Sequence, residues 1–374
     1  MKIALAIFKY FAPSSGVQSD VLPLAEELHR RGHDITLYCT SWDAPHPPEW
    51  LNVIKLQSTG WTNPQRSKHF IKRLFRRLSK TPADILVAFN RIPGADFYFA
   101  GDRPIAGQSR RVWWENLSPR YRHNASLERE IFSLESATHI LYSHPRQKSA
   151  CQRLYGTPER RFTLLPVGIP ANRKLSLEDR QGIRDAVREK YHLKADDLLL
   201  LTEGINPAAV GADRAIAAIS AMPEEFHHQL KLLISCRGQL KKLRHLVHHL
   251  GLDDYVILLP QDDDMLELFP AADLLLHPVR NETAGIAPLE AIASGTPVLA
   301  AGNSGFDHFI RESGGLVLPI PFRRSDLIRA LRLLLVDRSR LDEMKRAASS
   351  YAEATDFYHR SEAAADAIER IKSR

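Results

Sequence analysis

The chain has 374 residues, which exceeds one ordinary domain and is enough for two of roughly 150 to 200 residues each. Hydrophobic residues make up 44% of the sequence and charged residues 25%, so disordered and fibrous classes are excluded. The net charge of +7 indicates an anionic partner only if the basic residues cluster, so their distribution along the chain matters more than the total.

Three features bear on the cellular compartment. The cysteines Cys39, Cys151 and Cys236 lie far apart without CxxC spacing, so neither a disulfide framework nor a zinc site is indicated, and a reducing cytoplasm is expected. The opening MKIALAIFKYFAP has an apolar run that stops at Lys9 with no cleavage site after it, and we interpret it as a buried strand. No apolar run approaches the roughly 18 residues of a membrane span.

The first half alternates predicted strands and helices. The strand KIALAIF is followed by a Pro-Ser-Ser-Gly loop and by DVLPLAEELHRRG, whose apolar residues form a helical stripe that ends at Gly32. Further strands are predicted at HDITLYCT, DILVAF, THILYS and RFTLLP, with helices between them. This is the rhythm of a parallel sheet covered on both faces, and it predicts a first domain at residues 1–168.

Two basic segments lie within this half. Residues 66–80, RSKHFIKRLFRRLSK, carry seven Lys or Arg and no acid, with apolar residues at helical spacing. We interpret this segment as a surface helix or as a contact with anionic lipid through Lys72, Arg73, Arg76 and Arg77, and the two are compatible. Residues 109–123, SRRVWWENLSPRYRH, mix aromatic rings with Arg110, Arg111, Arg120 and Arg122. Such a mixture suits a membrane interface, a phosphorylated ligand or bases, but no nucleic-acid-binding motif accompanies it and no nucleic acid is expected.

The alternation starts again in the second half and predicts a second domain at residues 169–350. Its elements are DLLLLTEG, DRAIAAISAMP, LKLLISC, LKKLRHLVHHLG, YVILLP, ADLLLHP, PLEAIASG and TPVLAA. The chain is predicted to be helical from DLIRALRLLL to its end, and residues 351–374 are a candidate for packing back on the first domain. Two doubly wound, Rossmann-like α/β domains that face each other across a cleft are therefore expected, with ligands at the carboxyl ends of the strands.

The stretch HPVRNETAGIAPLEAIASGTPVLA places Glu282 and Glu290 with seven residues between them. The loop lies at the carboxyl end of a predicted strand, and the next helix has Pro288 in its first turn. The helix start then presents the N–H groups of Ala284, Gly285, Ile286 and Ala287, which suit a phosphate. The two acids suit hydroxyl groups of a ribose and a sugar; the alternative is that acids merely favour a first helical turn. His277, at the strand end, is either a hydrogen-bonded core histidine or a ligand contact.

The E-x7-E pattern in this stretch resembles the retaining glycosyltransferases of the GT-B fold, and among them those that add glucose to heptose I of the lipopolysaccharide core. The likeness extends over nearly the whole chain, through FKYFAPSSGVQSD, RRGHDITLYCTSW, VAFNRIPGADFYFAGD, RYRH, RFTLLPVGIPANRK and ADLLLHP. It implies transfer of a hexose, glucose in the first place, from a nucleoside diphosphate sugar such as a UDP-sugar to a lipopolysaccharide core or related glycolipid, without metal or other cofactor. With the basic helix at residues 66–80 as the membrane contact, we expect a cytoplasmic protein that is peripheral on the inner face of the inner membrane, and other glycosyltransferases are further candidate partners.

The resemblance also implies roles for single residues. Gly16 would approach the donor phosphates, Arg173 the diphosphate, Glu282 the sugar hydroxyls and Glu290 the ribose, while Asp20 and Asp102 match acids of the acceptor side. With Glu282, these two aspartates are the catalytic candidates. Each of the four residues outside the E-x7-E pattern has an ordinary alternative: a turn glycine for Gly16, a surface charge for Arg173, a helix cap for Asp20 and a turn former for Asp102.

Departures from the family pattern leave two functions open. Ala209 and Val210 stand where the family usually has an Arg-Lys pair, and such hydrogen bonds to phosphate are each worth roughly 1.5 to 3 kcal/mol. Asp262 stands where an arginine is frequent near the base, and Ser19 replaces a residue that is commonly basic. The aspartate run 262–264 is interpreted as a loop and helix cap, so no metal is assigned. The chain is therefore either an active transferase with an altered donor site, or a non-catalytic binding or regulatory partner in cell-envelope glycan assembly.

Overall fold

The computed structural model describes residues 1–11, 16–44, 46–101, 104–105, 118–143, 145–169, 174–194, 196–204, 206–236, 240–260, 267–280, 286–302 and 304–372. The chain divides into two compact units: unit 1 is Met1–Ala171 with Tyr358–Arg374, and unit 2 is Asn172–Phe357. The chain therefore passes from unit 1 into unit 2 and returns to unit 1 at its end.

Unit 1 contains nine strands, counted over the described residues, in a seven-stranded and a two-stranded parallel sheet. In chain order they are β1 Lys2–Ala6, β2 Lys9–Phe11, β3 Asp34–Cys39, β4 Ser41–Asp43, β5 Asn52–Lys55, β6 Ile85–Ala88, β7 Phe97–Ala100, β8 His139–Tyr142 and β9 Phe162–Leu164. The large sheet has the order β5-β3-β1-β6-β7-β8-β9, and β2 pairs with β4. Its central strands are buried because helices cover both faces, as expected for a parallel sheet.

The helices of unit 1 come from both ends of the sequence. They are α1 Val21–Arg30, α2 Asn63–Leu78, α3 Pro119–Phe132, α4 Pro145–Tyr155 and, from the end of the chain, α15 Arg360–Lys372, with 3₁₀ turns at Gly16–Asp20 and Glu159–Arg161. Helix α15 packs on α1, where Ile368 is fully buried in the same core as Leu24 and Leu28. Outside that core, Arg31 pairs with Asp366 at 2.6 Å.

Unit 2 has a six-stranded parallel sheet in the order β12-β11-β10-β13-β14-β15. The strands are β10 Leu198–Glu203, β11 Leu230–Cys236, β12 Val256–Pro260, β13 Leu274–His277, β14 Val298–Ala301 and β15 Leu316–Leu318. The chain runs outward from β10 to β11 and β12, then crosses back to β13 on the other side of β10. The gap between the carboxyl ends of β10 and β13 is therefore the topological switch point, where open sheets of this kind bind ligands.

The helices of unit 2 cover both faces of this sheet. They are α5 Leu177–Lys190, α6 Pro207–Val210, α7 Ala212–Ser220, α8 Glu224–His227, α9 Leu240–His249, α10 Leu268–Ala271, α11 Ala287–Ala293, α12 Asp307–Glu312, α13 Arg324–Val336 and α14 Arg338–Ala354. Buried Asp273, just before β13, ties the layers together by accepting from Arg184 at 2.6 Å and Lys345 at 2.7 Å. No helix within the described ranges is long and apolar enough to cross a membrane.

The expected pair of doubly wound α/β folds is confirmed, and the longer predicted elements occur as expected. The sequence did not predict the short strands β2, β4, β5, β7 and β15. Other strands of this length, such as β6 and β14, were predicted because longer apolar runs contain them. The prediction of helix throughout the C-terminal region is wrong in detail. Asp337 separates α13 from α14 by accepting from the N–H of Arg340 at 3.2 Å, and residues 355–359 separate α14 from α15.

Candidate functional site

The carboxyl edge of unit 2 brings two loops together at the switch point. One follows β10 and leads through α6 into α7, and the other follows β13. Gly211, with a φ of +79°, joins α6 to α7, and a Cβ at this residue would lie 2.2 Å from the carbonyl oxygen of Pro278. A side chain at Gly211 is therefore excluded both by space and by backbone conformation, and the two loops meet backbone to backbone.

Helix α11 begins beside this junction. Its first residue is Ala287, Ile286 is the N-cap residue, and Pro288 lies in the first turn, where its missing N–H leaves no hydrogen bond unmade. Glu290 also lies in the first turn and is only 6% exposed. Glu282, Ala284 and Gly285 lie outside the described residues, so of the predicted donor contacts in this stretch the structure places Ile286 and Glu290.

His277 ends β13 at the same edge. It is fully buried, and among the described residues neither Nδ1 nor Nε2 has a hydrogen-bond partner. Burial lowers the pKa of His277 to about 4, so the ring is neutral at neutral pH. The core position of this histidine is therefore confirmed, and within the described ranges its ring nitrogens have no hydrogen-bond partner.

Arg280 lies at the carboxyl edge of the unit 2 sheet, and no role for it was predicted from the sequence. Its guanidinium donates to both carboxylate oxygens of Asp213, at 2.7 and 2.6 Å, and to the carbonyl of Ala208 at 2.8 Å. This hydrogen bonding holds the pKa of Asp213 below its usual range. The partners are 67 residues apart, so no local pattern identifies the pair.

The structure places the two residues that depart from the family pattern in α6. Val210 is 1% exposed and belongs to the unit 2 core, while Ala209 is half-buried. Asn206 caps this short helix by accepting from the N–H groups of Ala208 and Ala209. Neither Ala209 nor Val210 offers a side chain that binds a phosphate.

In unit 1, Asp20 lies at the start of α1. Its side chain makes no capping hydrogen bond, so the cap interpretation is wrong. Oδ1 instead forms an ion pair at 2.9 Å with Nε of Arg360, whose guanidinium lies 5.2 Å from the centre of the Phe99 ring. Burial raises the pKa of Asp20, while the charge of Arg360 acts in the opposite direction. Gly16 begins the 3₁₀ turn that leads to this carboxylate.

Other predicted residues cannot be placed. Asp102, Arg173 and the aspartate run 262–264 lie outside the described residues, as do Arg110 and Arg111. Within the described ranges, no group of three or more His, Cys, Asp or Glu side chains is disposed to hold a metal ion. The three cysteines are all buried and free.

The predicted basic helix is confirmed as α2. A capping box formed by Thr62 and Gln65 starts it, and Phe70 and Leu74 bury its apolar face. The exposed residues of the helix include Lys72, Arg73, Arg76 and Arg77. Arg77 also hydrogen-bonds the Tyr38 side chain. Trp61, immediately before the helix, is 98% exposed.

Helix α3 packs against α2 and carries the second pair of predicted basic residues. Ser118 caps its start by accepting from the N–H of Tyr121 at 3.1 Å. Arg120 and Arg122 lie in the first turns of this helix and are both exposed. The structure therefore brings the helices of the two basic segments together in unit 1.

Two family models match the chain. Residues 14–173 match the model "Glycosyltransferase Family 4", and residues 183–353 match "Glycosyl transferases group 1". Among curated proteins, the chain is 34% identical over 371 residues to the lipopolysaccharide glucosyltransferase WaaG of Escherichia coli (strain K12), covering 98% of each chain. It is 29% identical over 218 residues to a D-inositol 3-phosphate glycosyltransferase of Nocardia farcinica (strain IFM 10152), covering 56% of this chain and 47% of the relative.

Solved structures show the same architecture. The crystal structure of WaaG, a glycosyltransferase involved in lipopolysaccharide biosynthesis, matches with a TM-score of 0.92 at 34% identity, over 98% of this chain and 99% of that one. A sucrose-phosphate synthase from Thermosynechococcus elongatus matches with a TM-score of 0.78 at 19% identity, over 99% of this chain and 98% of that one. The second likeness bears on the fold alone.

Proposed function

The chain belongs to the group 1 glycosyltransferases of the GT-B fold, and on this premise we propose that it transfers a hexose from a nucleoside diphosphate sugar to a lipopolysaccharide core or related glycolipid. It is a glycosyltransferase, and the expected GT-B fold is confirmed. Glucose as the sugar, UDP as the nucleotide and retention of configuration are parts of the proposal. The similarity to WaaG over 98% of both chains supports the acceptor class.

The position of Glu290 is the observation that carries the donor class. Glu290 is a carboxylate in the first turn of α11, the helix that follows the β13 loop, and it is 6% exposed. Glu290 lies beside the switch point of an open α/β sheet, where such folds bind ligands. The hydroxyl groups of a ribose can donate hydrogen bonds to a carboxylate at this position, and the phosphates of the nucleotide sugar are then bound by other groups.

The remaining residues take the roles that the resemblance implies. Glu282 contacts the sugar hydroxyls, while Gly16, Arg173 and the N–H groups of Ala284, Gly285 and Ile286 contact the phosphates. Asp20 and Asp102 lie on the acceptor side. The ion pair between Asp20 and Arg360 supports a fixed position for that carboxylate, since the guanidinium restricts its orientation.

A second function is favoured by one observation. Ala209 and Val210 provide no positive charge for a diphosphate, and the side chain of Val210 is buried in the unit 2 core. If no other residue replaces that charge, the protein keeps the fold and binds a partner of glycan assembly without turning over a donor. Nucleotide-sugar binding separates the two functions.

Our first prediction is that UDP-glucose raises the melting temperature of the wild type, because a ligand that binds only the folded state stabilises it by about 2.7 kcal/mol at one hundred times Kd. Glu290→Gln is expected to raise the Kd for UDP about tenfold through loss of charge-assisted hydrogen bonds. Thermal shift and calorimetric titration measure both effects. Glu343→Gln, at an exposed site on α14, is the matched control. Unchanged affinity in Glu290→Gln would contradict the ribose role, and no shift with any nucleotide sugar would support the non-catalytic alternative.

We further propose that the protein is cytoplasmic and binds the anionic inner face of the inner membrane through unit 1. Lys72, Arg73 and Arg76 are exposed on α2, and Arg120 and Arg122 are exposed on the neighbouring α3. The almost fully exposed Trp61 supplies an aromatic ring of the type found at membrane interfaces. A glycolipid acceptor would be reached at the same surface.

A further inference from the structure

Arg280 occupies the junction of the two loops at the switch point of unit 2. Its backbone N–H donates to the carbonyl of Ala209 at 2.8 Å, and Nη1 donates to the carbonyl of Ala208 at 2.8 Å. The loop after β13 thus carries a cation onto the loop after β10. The guanidinium therefore lies at the carboxyl ends of β10 and β13, where open sheets of this kind bind ligands.

Asp213 fixes the orientation of the guanidinium. Its two carboxylate oxygens accept from Nη1 and Nη2 at 2.7 and 2.6 Å, which is a bidentate pair and sets the plane of the Arg280 head group. The side chains are 36% and 44% exposed, so the pair lies at the surface of the edge, within reach of a ligand. Hydrogen bonding to Asp213 raises the pKa of Arg280 further above its usual value, so its charge is permanent.

Other basic residues of this junction do not supply the same charge. Residues 204–213 contain no lysine or arginine. Arg214 donates to the carbonyls of Pro278 and Val279, at 3.0 and 3.2 Å, and its guanidinium lies 4.0 Å from the centre of the Phe322 ring. Arg214 is therefore held by the β13 loop and the Phe322 ring, whereas Arg280 reaches the carbonyl of Ala208 in α6.

We propose that Arg280 binds a phosphoryl group of the nucleoside diphosphate sugar, with Asp213 as the residue that positions it. The proposal rests on the proposed function and adds a donor-binding residue. Arginine suits the role because its planar set of N–H donors matches the geometry of phosphate oxygens. Arg280 then supplies from the β13 loop the charge that Ala209 and Val210 do not supply from the β10 loop, and donor binding persists without a basic pair there.

The test compares a nucleoside diphosphate with its nucleoside. In Arg280→Gln we expect the Kd for UDP to rise about tenfold to a hundredfold, with little change in the affinity for uridine, because a charge-assisted hydrogen bond to phosphate is lost. Arg280→Lys keeps the positive charge without the planar set of N–H donors, and it is expected to lose less affinity for UDP than Arg280→Gln does. Calorimetry measures UDP binding, and ligand-observed NMR measures the weaker uridine.

Arg324→Gln is the matched control, since Arg324 is a second exposed arginine of unit 2 that donates to a backbone carbonyl, that of Ala217 at 2.9 Å. It is expected to leave the ratio of UDP to uridine affinity unchanged. An equal loss for UDP and uridine in Arg280→Gln would show that Arg280 only shapes the loops, and this overturns the proposal, as does unchanged UDP binding. A wild type that binds none of UDP, ADP and GDP overturns the donor class and this proposal with it; if the wild type prefers ADP or GDP, the same comparison is made with that nucleotide and its nucleoside.

Discussion

His277 shows how a single buried residue departs from ordinary core chemistry. It follows the leucines of β13, and the edge of the sheet where it lies is the edge of the candidate site. In the part of the chain that the structure describes, neither ring nitrogen has a hydrogen-bond partner, and a buried polar group left without one costs about 1 to 3 kcal/mol.

We predict that His277→Leu raises the free energy of unfolding at pH 7.5 by about 1 kcal/mol, because two unsatisfied nitrogens are removed. The pKa of His277 is about 4 in the folded state, below the ordinary value of 6.5, so the unfolded state alone binds a proton between these values. Wild-type stability therefore falls as the pH drops below 6.5, by at most about 1.4 kcal/mol per pH unit from this group, and the loss ends near pH 4.

Urea denaturation at pH 7.5, 6.5 and 5.5 measures both effects. The difference in the free energy of unfolding between His277→Leu and the wild type is expected to widen as the pH falls. His245→Leu, at an exposed position of α9, is the control. His139 also has a pKa lowered to about 4 by burial and acts in the same direction, but it cancels in this difference. A variant less stable than the wild type at every pH would show that the ring nitrogens are satisfied in solution.

At the scale of elements, helix α2 combines an apolar face that packs on unit 1 with an exposed surface that is rich in basic residues. Phe70 and Leu74 anchor it to unit 1, and the exposed part of the helix contains basic residues and no acid. Basic residues near an anionic membrane contribute about 1 kcal/mol each. The helix therefore has the composition of a membrane contact while it is held in a folded domain.

We predict that Lys72→Glu, Arg73→Glu and Arg76→Glu together weaken binding to phosphatidylglycerol vesicles about a hundredfold or more, because attraction becomes repulsion. Arg77 is left unchanged because it contacts Tyr38. Vesicle co-sedimentation measures the effect, and Lys241→Glu, Lys242→Glu and Arg244→Glu, on the exposed part of α9 in unit 2, change the net charge equally. Equal losses in the two variants would show that total charge, and not α2, governs binding.

At the scale of the whole molecule, unit 1 is completed only by the end of the chain. Ala364, Ala365, Ala367 and Ile368 of α15 belong to the core that contains β1 and α1. Around that core, Arg31 pairs with Asp366 and Glu369, and Arg360 pairs with Asp20. A candidate site residue near the start of the sequence is thus held by a residue near its end.

We predict that Ile368→Ala destabilises unit 1 by about 2 to 5 kcal/mol, because truncation of a fully buried side chain leaves a cavity. Hydrogen exchange is expected to become faster for the amides of β1 and β3. Leu327→Ala, at an equally buried site on α13, is the counterpart in unit 2 and is expected to accelerate exchange in β11. Faster exchange confined to β11 in Ile368→Ala would contradict the assignment of α15 to the unit 1 core.

Much of the fold and part of the site could be predicted because the signals are local. Apolar strand runs, helical stripes and the glycine after α1 are short-range patterns, and they predicted the alternation of strands and helices in both units. The basic face of α2 and the place of Glu290 in the first turn of α11 follow from the same patterns. Alone, these patterns did not reveal strands β2, β4, β5, β7 and β15 or the break at Asp337.

The sequence by itself determined most of the strands and helices and the stretch that carries the paired glutamates. The tertiary structure alone decided that β13 lies beside β10, which joins Arg280 to Asp213 across 67 residues, and that α15 returns to unit 1, which joins Arg360 to Asp20. The physical reason is the distance along the sequence over which each interaction acts. Hydrogen bonding and side-chain periodicity within an element depend on near neighbours in sequence, whereas strand order and ion pairing between elements depend on how the whole chain packs.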